Sequence, residues 1–377
     1  MIERGALQAY LARILRRPVE LLALRPLKGG LGEERDPKAF GYGVPLEVEC
    51  LVGGEPRQFV LAQTRPEEGF GHEFVADRAW AALWAHGAYN ALPRHVRSWD
   101  VGFVRPTGEL VPAGDALEFF QLVEKADGAP YWLDLDRLLT EAARPVDEER
   151  VEALAGYLAE LHAEKKRAPS LYQRRIRELV GHGECLMGIL DSYPHPYPLL
   201  PPEACAALEH ALVDWRWRLR QFAHRLSRVH GDFHPWNVLF RAGTDFSVLD
   251  RSRGEWGEPA DDVAALSINY LFFGLLKGPG VAEPFRGFFL RFLDLYRARS
   301  GDGELFAALP PFYAFRALVI AHPRWYPGIP ERVRIALLHF AASMGDLAPF
   351  DLDAVERSFG GPVGEGGAGR SSDARDR

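Results

Sequence analysis

The chain changes character once, near residue 124, and that change limits the folds open to it. Before it, apolar residues alternate. Val44-Pro45-Leu46-Glu47-Val48-Glu49-Cys50-Leu51-Val52 has the every-other-residue pattern of a half-buried strand, Gly53-Gly54 supply a turn, and Gln58-Phe59-Val60-Leu61-Ala62 begin a second strand. A hairpin is expected there, further strands over residues 99–104 and 117–123, and helices over residues 1–17 and 73–86. After it, Asp127-Gly128-Ala129-Pro130 breaks the chain and helical spacing takes over at residues 151–162, 204–226 and from 261 to about 344. Strand–loop–strand signals interrupt the helices over residues 228–250. A period of two and a period of 3.6 cannot serve one layer, so the expected class is α+β, with a small β-rich lobe over residues 1–124 and a larger, mainly helical lobe over 125–359. Residues 360–377 are rich in Gly, Ser and charge and hold too few apolar groups to offset ordering, so a disordered tail is expected.

Composition excludes several classes of partner. A net charge of −7 argues against nucleic acid, whose binders carry a basic excess. Cys50, Cys185 and Cys205 are too sparse and too far apart for a disulfide framework or a zinc site, which fits a reducing cytoplasm. No apolar stretch is long enough to span a bilayer, and the first 17 residues lack the continuous apolar run of a signal peptide, so no membrane partner is expected.

The segment that carries chemistry is His230-Gly231-Asp232-Phe233-His234-Pro235-Trp236-Asn237, with Asp250 thirteen residues beyond Asn237 at the end of the apolar run Phe246-Ser247-Val248-Leu249. Phosphoryl transfer asks little of a protein. One carboxylate must orient the acceptor hydroxyl and take its proton, and hard oxygen ligands must hold magnesium against the phosphates. A carboxylate followed five residues later by an asparagine can divide those tasks, and a second carboxylate at a neighbouring strand end completes the metal site. His230, Asp232 and His234 could instead offer ligands of a metalloenzyme, but that reading needs a further ligand and an open position and leaves Asn237 and Asp250 without a role.

The His-Gly-Asp, His-Pro and Asn version of this kinase loop resembles the aminoglycoside phosphotransferase and choline kinase superfamily. Gly257-Glu258-Pro259-Ala260-Asp261-Asp262-Val263-Ala264 is similar to the segment that follows the metal-binding Asp in that family, and Ala159-Glu160-Leu161-His162 resembles the end of the helix preceding its catalytic loop. The resemblance implies a two-lobed, protein-kinase-like fold and an ATP-dependent, magnesium-assisted kinase acting on a small-molecule hydroxyl. It implies that Asp232 is the catalytic base or orienting group, that Asn237 and Asp250 bind magnesium, and that His230, His234 and Asp262 support the loop.

The same resemblance makes residues 1–124 the nucleotide-binding lobe and residues 125–359 the catalytic and acceptor-binding lobe. Gly29, Gly30 and Gly32 would approach the phosphates, and backbone near Glu124, Lys125 and Ala126 would contact the adenine, with Phe120-Gln121-Leu122-Val123-Glu124 as the strand entering the interlobe hinge. The phosphate-binding lysine of such kinases falls here on Ala62 or Gln63. Alternate strand residues share a face, so Gln63 and Arg65 are expected toward the phosphates with Glu73 beside them; Lys28 or Lys38 could also substitute. The missing lysine leaves open a degenerate kinase that binds nucleotide or a partner without turnover. Arg251 and Arg253 could meet phosphate or an anionic acceptor, or pair with Glu255, Glu258 or Asp261, and Asp134, Asp136, Glu255 and Glu258 hint at a cationic acceptor.

Overall fold

The computed structural model of the chain describes residues 2–27, 43, 45–66 and 71–359. The described chain falls into two compact units, Met1–Glu124 and Lys125–Arg377, each with its own apolar cluster. Gly29, Gly30, Gly32, Lys28, Lys38 and the tail over residues 360–377 lie outside the described residues.

Unit 1 begins with α1 (Arg4–Leu15), then β1 (Val19–Pro26), β2 (Leu46–Val52) and β3 (Glu55–Leu61) in an antiparallel sheet of order β1-β2-β3. Leu7 and Leu11, one helical turn apart on α1, are buried in one cluster with Val48, Cys50 and Val52, the alternate residues of β2. The expected hairpin is present: Val52 pairs with Glu55 across Gly53 and Gly54, at φ +55° and +88°. Two successive positive-φ residues match the right-handed strand twist, and only glycine takes both without strain.

The rest of unit 1 is α2 (Val75–Ala91) and the two-stranded pair β4 (Gly102–Val104) and β5 (Leu110–Pro112). The helix expected from residue 73 starts two residues later, where Asp77 turns back to accept a 3.0 Å hydrogen bond from the Phe74 amide. The strand expected over residues 117–123 does not form. Leu117, Phe120 and Leu122 are exposed and the segment has no ladder partner among the described residues. Apolar and β-branched residues favour a strand only when a neighbour and a face to bury are available.

Unit 2 runs β6 (Ala129–Pro130), α3 (Trp132–Arg137), α4 (Pro145–His162), α5 (Pro169–Gly181), α6 (Leu186–Ser192), α7 (Pro202–Leu219), β7 (Ser227–Arg228), β8 (Val238–Phe240), β9 (Phe246–Val248), β10 (Trp256–Gly257), α8 (Pro259–Lys277), α9 (Phe285–Ser300), α10 (Leu305–Ala308), α11 (Pro310–Ala321), α12 (Glu331–Ser343) and α13 (Leu352–Phe359). The helix expected to reach residue 226 stops at Leu219 and tightens into a 3₁₀ turn over Arg220–Arg225. α8 is apolar on nearly every side and buried along almost its whole length, as a central core helix must be. It packs on α9 and α11, while α4 packs on α9 and α12 on α11.

Two short pairings frame the loop between β7 and β8. β7 pairs with β10, and β8 lies between β6 and β9. Beneath them, Glu258 caps α8 by accepting from the Ala260 amide and is held by the Arg225 guanidinium and the Tyr172 hydroxyl. No helix among the described residues is long and apolar enough to cross a membrane.

Phe292 on α9 is fully buried and meets the ring of Tyr270 of α8 edge-on. Phe292→Ala is expected to destabilise unit 2 by about 3–5 kcal/mol. A urea midpoint lowered without a change in slope would show it.

Candidate active site

The loop between β7 and β8 cannot pair its own amides in a sheet, so something buried must accept them. Asp262, fully buried in the first turn of α8, does so. Its Oδ2 accepts from the His230 amide at 2.7 Å and its Oδ1 from the Gly231 amide at 2.7 Å. The imidazole of His162, the last residue of α4, lies 3.1 Å from Oδ2 through Nε2, and its Nδ1 is 2.8 Å from the Tyr296 hydroxyl on α9. Burial pushes the Asp262 carboxyl up, but His162 and the His230 amide outweigh it and hold the carboxyl below its ordinary value.

Gly231 sits at φ +88°, and a Cβ there would press within 3.2 Å of the Arg253 Cβ. This turn delivers Asp232, whose side chain keeps 18% of its exposure. Its Oδ1 accepts from Arg316 Nη1 of α11, and its Oδ2 is 3.5 Å from His234 Nε2. Burial raises the Asp232 carboxyl, yet the Arg316 and His234 contacts dominate and keep it ionised. His230 Nδ1 accepts from the Asp232 amide at 3.3 Å, and burial lowers this imidazole below its usual value.

Asn237 closes the loop. Its Nδ2 donates to the Asp232 carbonyl at 3.0 Å, which leaves its side-chain oxygen as the outward end. The Leu249 amide donates to the Asn237 carbonyl at 2.8 Å, next to the Val238–Val248 pair of the β8–β9 ladder. Asp250 therefore emerges one residue beyond the partner of Asn237. It stands at φ +54°, is exposed, and among the described residues its carboxylate makes no hydrogen bond or ion pair. A non-glycine residue held in the left-handed region with an unused carboxylate has the character of a ligand site.

These oxygens fit magnesium, which takes one or two protein ligands and completes its shell with phosphate and water. Among the described residues no three His, Cys, Asp or Glu side chains gather as ligands for a metal. His230 and His234 are instead turned into the loop's own contacts.

The residues expected on the nucleotide side lie apart from this loop along the chain. Gln63 and Arg65 follow the end of β3 and are exposed, while Thr64 between them bridges Gly43. Glu73 precedes α2 and its carbonyl accepts from Arg78. Glu124 ends unit 1 and Lys125 begins unit 2, both exposed, with Ala126 half-buried. None of the three is in a strand, so the expected hinge strand over residues 120–124 is absent: its apolar side chains find no ladder to join.

Other expectations change with the structure. Arg251 donates to the carbonyls of Val229 and Glu255 rather than to a carboxylate. Arg253 reaches the Cys185 sulfur and lies over the Phe315 ring. Glu258 is buried with Arg225, and Asp134 is paired with Arg150, so neither is free to meet a cationic acceptor. Arg316 was not among the expected site residues. Its signal was present: a lone arginine in the apolar run Ala314-Phe315-Arg316-Ala317-Leu318-Val319-Ile320, where a charge is retained only with a partner.

The model of the Phosphotransferase enzyme family matches residues 51–298, more than half of the chain. The chain belongs to this family. The α+β, protein-kinase-like class expected from the sequence accords with it. Similar solved structures include a glucosamine kinase, at 19% identity over 88% of this chain and 92% of that one, with a TM-score of 0.36. An amicoumacin kinase in complex with AMP-PNP and Ca2+ shows 15% identity over 93% and 96%, with a TM-score of 0.40. A choline kinase from Streptococcus pneumoniae shows 12% identity over 90% and 98%, with a TM-score of 0.33. Among curated proteins there is no match.

The depressed Asp262 carboxyl contributes stability that is fully present above about pH 4, the unfolded value of an aspartate, and is lost as pH falls through its lower folded value. Asp262→Asn places an amide donor against a backbone donor. It is expected to cost at least about 1–3 kcal/mol at neutral pH and to flatten the acid limb of the stability profile, read by urea denaturation across pH.

Proposed function

We propose that this phosphotransferase moves the γ-phosphoryl group of ATP to a hydroxyl of a small molecule, with magnesium. The observation that supports it most is the meeting of Asp232, Asn237 and Asp250 on one loop and one ladder, with two oxygen-bearing ends unpaired. In this reading Asp232 orients the acceptor hydroxyl and receives its proton. The Asn237 side-chain oxygen and the Asp250 carboxylate would hold magnesium, which would supply neutralisation of the phosphate charge. His230, His234 and Asp262 keep the loop in place. No covalent intermediate is needed, since orientation and electrostatics carry such reactions.

Residues 1–124 form the nucleotide-binding lobe in this reading and residues 125–359 the catalytic and acceptor-binding lobe. Gly29, Gly30 and Gly32 would meet the phosphates, Gln63 or Arg65 with Glu73 would stand where other kinases use a lysine, and Glu124, Lys125 and Ala126 would face the adenine. A cytoplasmic protein is part of this reading, supported by the three free cysteines and by the use of ATP it assumes. A degenerate, nucleotide-binding protein is the second reading, favoured by the exposed and lysine-free residues that follow β3.

Magnesium-dependent ATP turnover against a panel of amino alcohols, sugars, aminoglycosides and amino-acid hydroxyls, with product detected by mass spectrometry, separates the two. Turnover with a phosphorylated product is expected, and nucleotide binding without it would select the second reading. Asp232→Asn is expected to lower transfer by about 10²–10⁴-fold while nucleotide affinity is retained; near-normal turnover would remove Asp232 from its role. Asp250→Ala is expected to weaken magnesium–ATP binding in calorimetry with little change in thermal stability. Equal affinity in the two proteins would exclude Asp250 as the ligand.

A further inference from the structure

Arg316 is placed inside the most apolar part of α11, where its neighbours Phe315 and Ala317 are completely buried and it is itself only 6% exposed. A guanidinium pays a desolvation cost there unless its donors are satisfied. Among the described residues its hydrogen bonds go to the loop and to the helix that holds the loop. Nη1 donates to Asp232 Oδ1, Nη2 donates to the Gly231 carbonyl at 3.2 Å and to Asp261 Oδ1 at 2.6 Å, and Nε donates to Asp261 Oδ1 at 3.2 Å.

Asp261 and Asp262 are adjacent in the first turn of α8 and divide the work of holding one loop. Asp262 takes the loop's amide hydrogens at His230 and Gly231 directly. Asp261 takes the Gly231 carbonyl and the Asp232 carboxylate through Arg316. The stretch His230–Asp232 is thus gripped at its donors by Asp262 and at its acceptors, through Arg316, by Asp261.

A charge needed only to balance Asp261 would not also have to reach the Asp232 side chain. The consequence of its reaching lies in how the two Asp232 oxygens differ. Oδ1 is occupied by the guanidinium, whereas among the described residues Oδ2 has only His234 Nε2 at 3.5 Å, beyond a normal hydrogen bond. One oxygen is held and the other is left to act.

We propose that Arg316 is a positioning residue for phosphoryl transfer: by binding Oδ1 it locks the Asp232 carboxylate in one orientation and presents Oδ2 alone to the acceptor hydroxyl. This inference rests on the reading that Asp232 serves the transfer. In that step the acceptor oxygen forms its bond to the γ-phosphorus, and the bond from that phosphorus to the β-bridging oxygen breaks. Nucleoside diphosphate leaves, and the hydroxyl proton passes to Asp232 Oδ2. Arg316 neither gains nor loses a proton. A lysine could supply the charge, but its single ammonium cannot engage Asp232, Gly231 and Asp261 in the planar fork that a guanidinium provides.

The test uses the full chain and an acceptor found in the panel, with Arg316→Lys made in the unsubstituted and the Asp232→Asn backgrounds. In the first background kcat is expected to fall by about 10²-fold, with KM for acceptor and magnesium–ATP affinity changed by no more than about twofold. In the second background Arg316→Lys is expected to change the residual rate by no more than about twofold, because the group it positions is gone. Equal losses in both backgrounds, or a kcat within about twofold of normal in the first, would overturn the inference and leave the phosphotransferase reading standing. No transfer by the unsubstituted protein to any acceptor would instead count against that reading. If circular dichroism shows Arg316→Lys unfolded, Asp261→Asn, which loosens the guanidinium from its other side, takes its place in the same cycle. A loss of about tenfold that disappears in the Asp232→Asn background is then expected, and a loss that persists there overturns the proposal.

Discussion

The buried carboxylate of Asp262 organises the loop on which the candidate chemistry depends. Two backbone amides and one imidazole converge on its two oxygens, so three donors are satisfied by one side chain. Its place in the first turn of α8 helps, because the positive end of the helix dipole favours a negative charge there. A carboxylate with no exposed surface would otherwise be costly; here both of its oxygens are hydrogen-bonded.

That arrangement makes the helical core and the site one object. α4 contributes His162, α8 contributes Asp261 and Asp262, α9 contributes Tyr296 and α11 contributes Arg316. These helices also pack on one another through the apolar cluster of unit 2. Close-packed interiors resist small displacements, so the loop inherits its rigidity from side chains far from it in sequence. Polar atoms are paired where the loop must not move. At Asp250, and at the Asn237 side-chain oxygen, they are left over where something else can bind.

The small unit is built differently. Its core is one face of β1 and β2, flanked by the half-buried Phe59 and Leu61 of β3 and covered by Leu7 and Leu11 of α1 and Leu110 of β5. α2 buries none of its residues, and Trp80 and Trp84 stack on each other, both well exposed. The alternating pattern of β2 and the Gly53-Gly54 turn were enough to predict the hairpin, since both act between neighbours in sequence. The strand expected over residues 117–123 failed because strand formation also needs a pairing partner, which no local pattern supplies.

Legibility in the sequence follows the range of the interaction. The change from alternation to helical spacing, the turn glycines and the His230–Asn237 motif with Asp250 are local or fixed in spacing, and they were sufficient to point to an α+β phosphotransferase and to its loop. The motif also singled out Asp262 as a support, although not the atoms it would hold. What only the tertiary structure decided are the contacts between groups remote in the chain: His162 with Asp262, Arg225 with Glu258, and Arg316 with Asp232 and Asp261. Glu258 reads along the chain as one of several acids available to a cation, yet the fold buries it against a guanidinium. Arg316 reads as an oddity in an apolar run until the fold places it beside the loop, because the partner that makes a buried charge tolerable is chosen by packing and not by spacing.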